Sequence, residues 1–255
     1  MATRPENSRG SSAEGNGEVC THLAWDSDFF GLRIARLNCS RLDEATVAAA
    51  LGWCAAQRVD CLYFLADSDH AKTLSLAEHH GFQLTDVRMT FEQNPVSPAS
   101  RTDDSGSIRM AREDDLPALR EIAGRTHRDT RFYFDPHFDR AKCDRLYETW
   151  IENSYRGYAQ AVLVAEAENV PAAYLTCHRK GSETQIGLLG VSQAHQGKGL
   201  GMQLVTRFLD WSYAQEATRA SVVTQGRNLA AQRLYQRNGF VTASVQLWYH
   251  RWFTG

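Results

Sequence analysis

The sequence predicts a mixed α/β protein, a sheet with helices packed against it, and three observations carry that expectation. From Ile108 onward, apolar runs of strand length alternate with segments whose apolar residues recur at helical spacing. One such run, Ile186-Gly187-Leu188-Leu189-Gly190-Val191, leads into a glycine-rich turn, Gln196-Gly197-Lys198-Gly199-Leu200-Gly201, and an amphipathic segment leaves it. About thirty residues later a short helix runs from Asn228 through Tyr235 and stops at Asn238-Gly239-Phe240, with glycine where helices commonly end.

Taken in order, a strand is expected at Ile108 to Ala111 and a helix at Asp114 to Ala123. A second helix runs from Asp139 to about Tyr155, with Leu146, Trp150 and Ile151 on one face. Strands are expected at Ala161 to Glu166, Ala172 to His178 and Gln185 to Val191. The helix after the glycine turn carries Leu200, Leu204, Val205, Phe208 and Trp211 on one face. A strand at Ala220 to Thr224, the Asn228 helix and an aromatic strand from Val245 to Trp252 complete the order. In that last strand Leu247, Tyr249 and Arg251 alternate with Trp248, His250 and Trp252, so the two sets face opposite ways.

The chain has 255 residues, 43% hydrophobic and 23% charged, with a net charge of −2. That balance gives no electrostatic reason to expect nucleic acid or a membrane surface as partner. No apolar stretch approaches the roughly 20 residues a bilayer span requires. Residues 1–18 are polar and read as a disordered leader, and six cysteines without C-x-x-C spacing fit a reducing cytoplasm. A linker rich in serine and proline at 94–106 separates a first domain, 19–93, from a second, 107–255.

The first domain repeats the second. Residues 39–91 lie on 197–249 at one constant offset of 158 without a gap, and ten positions are identical. These include Trp53 with Trp211, Leu76 with Leu234, and Gly81-Phe82 with Gly239-Phe240. Arg41, Asp43 and Glu44 stand where Gly199, Gly201 and Met202 stand in the second copy, and Ala77 stands where Tyr235 does. A bulky cation and two carboxylates at a helix start would block and repel a phosphate, so only the second copy is expected to bind one.

A strand, a glycine turn and a helix start form a phosphate cradle, because glycine lets the backbone approach and first-turn N–H groups point at the anion. The turn lacks the Lys-Ser/Thr of a nucleotide-triphosphatase loop and the spacing of a dinucleotide fingerprint. In this order, the turn and the Asn228 helix resemble the GNAT superfamily of acyl-CoA-dependent N-acyltransferases. The resemblance implies a GNAT fold whose C-terminal domain binds acetyl-CoA as co-substrate, preceded by a smaller degenerate copy. It implies that Gln196, Gly197, Lys198, Gly199, Leu200 and Gly201 meet the pyrophosphate. Leu189, Gly190 and Val191 would lie on a bulged, splayed strand whose backbone pairs with the pantetheine arm. A glycine in that run suits a bulge.

Asn228 and Tyr235 are seven residues apart, which returns them to nearly the same helix face with a rise of ~10 Å. Asn228 suits both an N-cap and a coenzyme contact. The resemblance makes Tyr235 the acid that protonates the departing CoA thiolate. A base for the incoming amine stays open among His178, Glu183 and a water chain, and Cys177 reads as a buried structural thiol. No metal is implied.

Three segments bear on the acceptor: Trp25-Asp26-Ser27-Asp28-Phe29-Phe30-Gly31, Thr130-Arg131-Phe132-Tyr133-Phe134-Asp135-Pro136 and the aromatic tail. Clustered aromatics with arginine can stack a base and meet phosphates, which selects Phe29, Phe30, Arg131, Phe132, Tyr133 and Phe134. These segments, with Trp150-Ile151-Glu152-Asn153, resemble the GNAT enzymes that acetylate dTDP-4-amino-4,6-dideoxyhexoses. The expected partner is thus a small-molecule amine, a dTDP-amino sugar, with transfer by direct attack. Another small amine, a protein N-terminus, or a CoA-binding sensor without turnover are the alternatives. The aromatic tail strand could pair across a two-fold axis, which is the expectation of a homodimer.

Overall fold

The computed structural model describes residues 18–95 and 108–253. The leader, except Glu18, and the linker beyond Pro95 lie outside the described residues. Two compact units divide the chain, and the division is not linear. The first gathers the chain up to Arg88 with Thr130–Lys142 and the tail from Val245, and the second holds Met89–Asp129 and Cys143–Ser244. Acceptor segments far apart in sequence therefore fall into one unit.

In the first unit the elements are β1 (Cys20–His22), α1 (Ala24–Phe30), β2 (Ile34–Leu37), α2 (Glu44–Gln57), β3 (Cys61–Asp67), α3 (Ala71–His79) and the start of β4 (Gln83–Gln93). They are joined by the short α5 (Arg131–Phe134) and by β10 (Val241–Trp252) from Val245 on. Strand order here is β1-β2-β3-β10-β4. Strand β10 runs antiparallel to β3, with Trp248 opposite Leu65 and His250 opposite Tyr63. It has a strand on each side, so the edge pairing expected to make a homodimer is closed to it. The tail alternates as its period requires. Leu247 and Tyr249 pack with Leu62, Phe64 and Ala66 in the core under α2 and α3. His250 and Trp252 turn to the segment 130–138.

The second unit contains the end of β4, β5 (Ile108–Met110), α4 (Leu116–Thr126), α6 (Arg140–Asn153) from Cys143, β6 (Ala161–Ala167), β7 (Val170–Lys180), β8 (Glu183–Val191), α7 (Leu200–Ala214), β9 (Arg219–Gln225) and α8 (Leu229–Arg237). Strand order is β4-β9-β8-β7-β6-β5. Every element expected between Ile108 and Trp252 is present, with ends moved by a few residues. Helix α6 stops at Asn153, where a wider turn, Ser154–Tyr158, takes over around Gly157 at φ 109°. The apolar face of α7, Leu200, Leu204, Val205, Phe208 and Leu209, is buried against Leu163, Leu175, Ile186 and Val222. Complete burial of one such side chain is worth ~1.5–3 kcal/mol.

The sequence repeat is also a repeat of elements. Strands β3 and β9 begin and end at the same offset of 158, as do helices α3 and α8, and β4 and β10 begin at it. Even the helix caps correspond: His70 accepts from the Thr73 N–H, and Asn228 Oδ1 accepts from the Ala231 N–H. The last strands are exchanged. Strand β3 of the first copy pairs with β10 of the second, while β9 of the second copy has β4 of the first beside it.

Candidate active site

The frame of the site is the place where β8 leaves β9. The two strands pair in parallel from Glu183 with Arg219 to Ile186 with Val222, and no pairing follows. Against β7 the register slips at the same point: Cys177 faces Ile186 and Leu175 faces Leu189, so β8 has one residue more than β7. The bulge is centred on Gly187 and Leu188, just before the Leu189-Gly190-Val191 stretch to which the sequence assigned it. A Cβ on Gly187 would sit 2.3 Å from His178 Nε2, and one on Gly190 would sit 2.6 Å from the Tyr174 ring. Both positions require glycine because a ring already occupies the space.

Beyond the bulge, alternation assigns the backbone groups. The Ser192 N–H donates to the Ala172 carbonyl on the β7 side. Gly190, two residues back, therefore also points its N–H at β7, and Leu189 and Val191 point theirs to the splayed side. Of the splayed-side groups, the Val191 carbonyl accepts from Gln196 Nε2 at 3.3 Å.

The glycine turn follows. Gly197 and Gly199 take left-handed φ of 75° and 86°. Gly199 is the N-cap of α7 and supplies no side-chain acceptor, so the first-turn N–H groups stay available to an anion. Gln196, Gly197, Lys198 and Gly199 are exposed, Leu200 is buried in the core, and Gly201 lies against Leu234 and Val191. The other copy is built the opposite way. Asp43 caps α2 by accepting from the Thr46 N–H at 2.7 Å, and Arg41 pairs with Asp67. A carboxylate of the chain itself takes the anion's place there.

Asn228 caps α8 through Oδ1, leaving its amide NH2. Tyr235 is 5% exposed, its ring between Phe91 and Phe240 at 6.2 and 6.0 Å, and burial raises its phenol above the ordinary value. The phenol is thus a proton carrier at neutral pH.

The base candidates fare differently. Glu183 is ion-paired with Arg219. His178 is pulled down to about 4 by burial, against a hydrogen bond to the Tyr158 backbone, and its Nε2 meets Thr176 Oγ1 at 3.1 Å. A buried imidazole that disfavours the proton is not poised to receive one from an amine. Cys177 is fully buried, and burial raises its thiol, as expected of a structural cysteine.

In this same unit His127 is also pulled down to about 4 by burial, stacks on Tyr147 at 4.6 Å and meets the Tyr174 hydroxyl at 2.8 Å. An unfolded histidine titrates near ~6.5, so between about 4 and ~6.5 the unfolded chain binds protons the folded chain refuses. Stability is therefore full above that window and lost as pH falls through it. The melting temperature is expected to drop between pH 7 and pH 4.5, and to drop less in the His127→Gln/His178→Gln double variant. Equal slopes in the two proteins would place the acid sensitivity elsewhere.

In the first unit the three segments expected to meet the acceptor contribute to one aromatic cluster. Phe30 stacks on Phe132 at 5.4 Å and meets Phe138 at 4.6 Å. Arg131 lies over the rings of Tyr63, Phe132 and Trp248 at 4.3–4.5 Å. Asp135 accepts from Trp252 Nε1 at 2.9 Å and lies 2.6 Å from His250 Nδ1. Burial opposes the ionised Asp135, but its bonds to His250, His137 and Trp252 outweigh that and hold it well below the carboxylate range. Phe30 and Phe132 lie inside this cluster, Phe29 and Tyr133 are half-buried, and Phe134 is exposed. The Asp135–His250 pair was not among the sequence candidates. The alternation of the tail gave its face, but nothing near Asp135 marked it as the partner.

A splayed, bulged strand feeding a glycine turn at an uncapped helix presents unpaired backbone groups that suit an anion and an extended chain. The Acetyltransferase (GNAT) family model matches residues 116–240. The chain is 30% identical over 234 residues to the dTDP-fucosamine acetyltransferase of Escherichia coli O6:H1, covering 90% of this chain and 96% of that protein. It therefore belongs to the GNAT family and is an acyl-CoA-dependent N-acetyltransferase. The spore coat polysaccharide biosynthesis protein SpsD of Bacillus subtilis is 27% identical over 138 residues, 54% of this chain and 48% of that one. Among solved structures, a tandem GNAT protein from the clavulanic acid biosynthesis pathway aligns with a TM-score of 0.56 at 14% identity, covering 88% of this chain and 77% of that one. That likeness is one of fold. No helix among the described residues is long and apolar enough to cross a membrane.

Proposed function

We propose that this chain moves an acetyl group from acetyl-CoA to the amino group of a nucleotide-linked amino-deoxy sugar, a dTDP-4-amino-4,6-dideoxyhexose, in the cytoplasm. The observation that carries the reading is the extent of the match to dTDP-fucosamine acetyltransferase. It takes in 90% of this chain, well beyond the span of the family model. Similarity to a spore coat polysaccharide biosynthesis protein points the same way.

Acetyl-CoA supplies a thioester open to attack by an amine. The N–H groups of Gly199, Leu200 and Gly201, with Lys198 beside them, meet the pyrophosphate at the start of α7. The splayed-side groups of Leu189 and Val191 hold the pantetheine amides, and the Leu189 N–H also steadies the developing oxyanion. Asn228 keeps its capping bond and offers its amide NH2 to the same arm. Tyr235 gives its phenolic proton to the departing thiolate sulfur, and the proton that the attacking amine loses passes to water. Arg131, on its aromatic bed, suits an anionic, flat ligand, with Phe29, Tyr133 and Phe134 facing outward and Phe30 and Phe132 supporting from within.

The test is a thiol-release assay with acetyl-CoA and a panel of dTDP-4-amino-4,6-dideoxygalactose, its gluco epimer, a 3-amino sugar nucleotide, spermidine and free amino acids. Release with a 4-amino sugar nucleotide is expected. Turnover on spermidine or an amino acid, with silence on every sugar nucleotide, would overturn the acceptor and keep the enzyme class.

A further inference from the structure

The β8 bulge is tied down by side chains of β7. The Leu188 N–H donates to Thr176 Oγ1 over 2.8 Å, and Thr176 Oγ1 lies 3.1 Å from His178 Nε2. The imidazole also bonds to the Tyr158 backbone, and the two rings meet edge to face at 5.2 Å. A carbonyl only accepts, so the ring nitrogen facing it carries the single proton of the neutral imidazole. Nε2 is then left as the acceptor for the Thr176 hydroxyl, and Thr176 Oγ1 as the acceptor for Leu188. Each group in the chain has one direction available to it, from the backbone of β8 to the backbone of the turn after α6.

The relay fixes the register. Without the extra residue in β8, Tyr174 would face Leu189 rather than Gly190, its present partner. A slip by one residue reverses every side chain and every N–H beyond it. The Leu189 N–H would then be consumed by β7, and the wrong set of donors would face the splay. Thr176 opposes that slip by giving the extra N–H of the bulge a buried acceptor where the strand ladder offers none. His178 matches it sterically, since its ring fills the space that a side chain on residue 187 would need.

We propose that Thr176, oriented by His178, is a positioning residue for acetyl transfer, holding the β8 bulge so that the Leu189 and Val191 backbone faces acetyl-CoA. The proposal rests on the coenzyme edge and not on the identity of the acceptor, so it is tested by binding alone.

Thr176→Val keeps the branched, fully buried shape and removes the hydroxyl, leaving the Leu188 N–H without its acceptor. The acetyl-CoA Kd, read by calorimetry, is expected to rise roughly tenfold or more. The melting temperature should fall by several degrees, since a buried N–H is left unsatisfied, and the Leu188 amide should exchange faster with solvent. Thr176→Ser restores the hydroxyl and should bring the Kd back to within a few-fold of the parent. A folded Thr176→Val with the parent's Kd overturns the proposal, as does equal impairment in Val and Ser. If Thr176→Val does not fold, His178→Leu decides: it removes the orienting acceptor together with the ring beside Gly187, and an unchanged Kd for acetyl-CoA overturns the proposal.

Discussion

Replacing Tyr235 with Phe is expected to lower kcat by roughly 100-fold or more, with acetyl-CoA affinity held within about twofold. The two halves of that expectation come from different parts of the side chain. The ring is what the fold uses: it is buried, packs between Phe91 and Phe240, and Phe reproduces it. The hydroxyl is what the proposed mechanism uses as acid, and burial favours its protonated form. Acetyl-CoA binding by calorimetry and thiol release under saturating acetyl-CoA separate the two. Turnover at the parent's rate would remove Tyr235 from the proton path, leaving solvent to protonate the thiolate. Lost affinity with little change in kcat would make the residue a wall of the pantetheine channel. The first copy carries Ala77 at this position, so it holds the helix but not the acid.

Gly199→Glu is expected to abolish measurable acetyl-CoA binding. A carboxylate at the start of α7 would sit within about 4 Å of a phosphate, and two such charges repel by ~4 kcal/mol at an effective dielectric near 20, about a thousandfold in Kd. A second cost is local: φ at residue 199 is 86°, where a side chain adds ~1–2 kcal/mol. Gly199→Ala separates the two. A Cβ there meets nothing, so Ala carries the backbone cost alone and should weaken binding far less than Glu. If Glu and Ala were equally impaired, repulsion would not be the cause, and the pyrophosphate would lie away from this turn. Asp43 at the corresponding end of α2 shows the arrangement already realised, with the chain's own carboxylate accepting from the first-turn N–H of Thr46.

Much of this was legible in the sequence because it was local. Glycines at 187, 190, 197 and 199 announced the bulge and the turn, and the repeat offset carried the ends of β3, α3 and the start of β4 onto β9, α8 and β10. Three features were not legible, and each is a matter of partners. Strand β10 is enclosed by β3 and β4, whereas its alternation identifies two faces but not its neighbours and so left pairing across a two-fold axis open. Asp135 became the buried partner of His250 only through a pairing 115 residues long in sequence. His178 looked like a candidate base because histidine commonly is one, and its use as a hydrogen-bond acceptor for Thr176 depends on a contact across the β7 face.

The exchange of last strands has a consequence for how the chain is made. The residues Asp67 and Gln246, which meet at one end of the β3–β10 ladder, are 179 positions apart in sequence. At a synthesis rate of ~5–20 residues per second, β3 leaves the ribosome roughly 10–40 s before its partner exists. For that interval its apolar residues Leu62, Phe64 and Ala66 line an open ladder, the state in which a nascent chain meets chaperones or other nascent chains. Yield in cells should therefore respond to translation speed and holdase supply more than the stability of the finished protein would suggest, because the central pairing of the first unit is also the last to be synthesised.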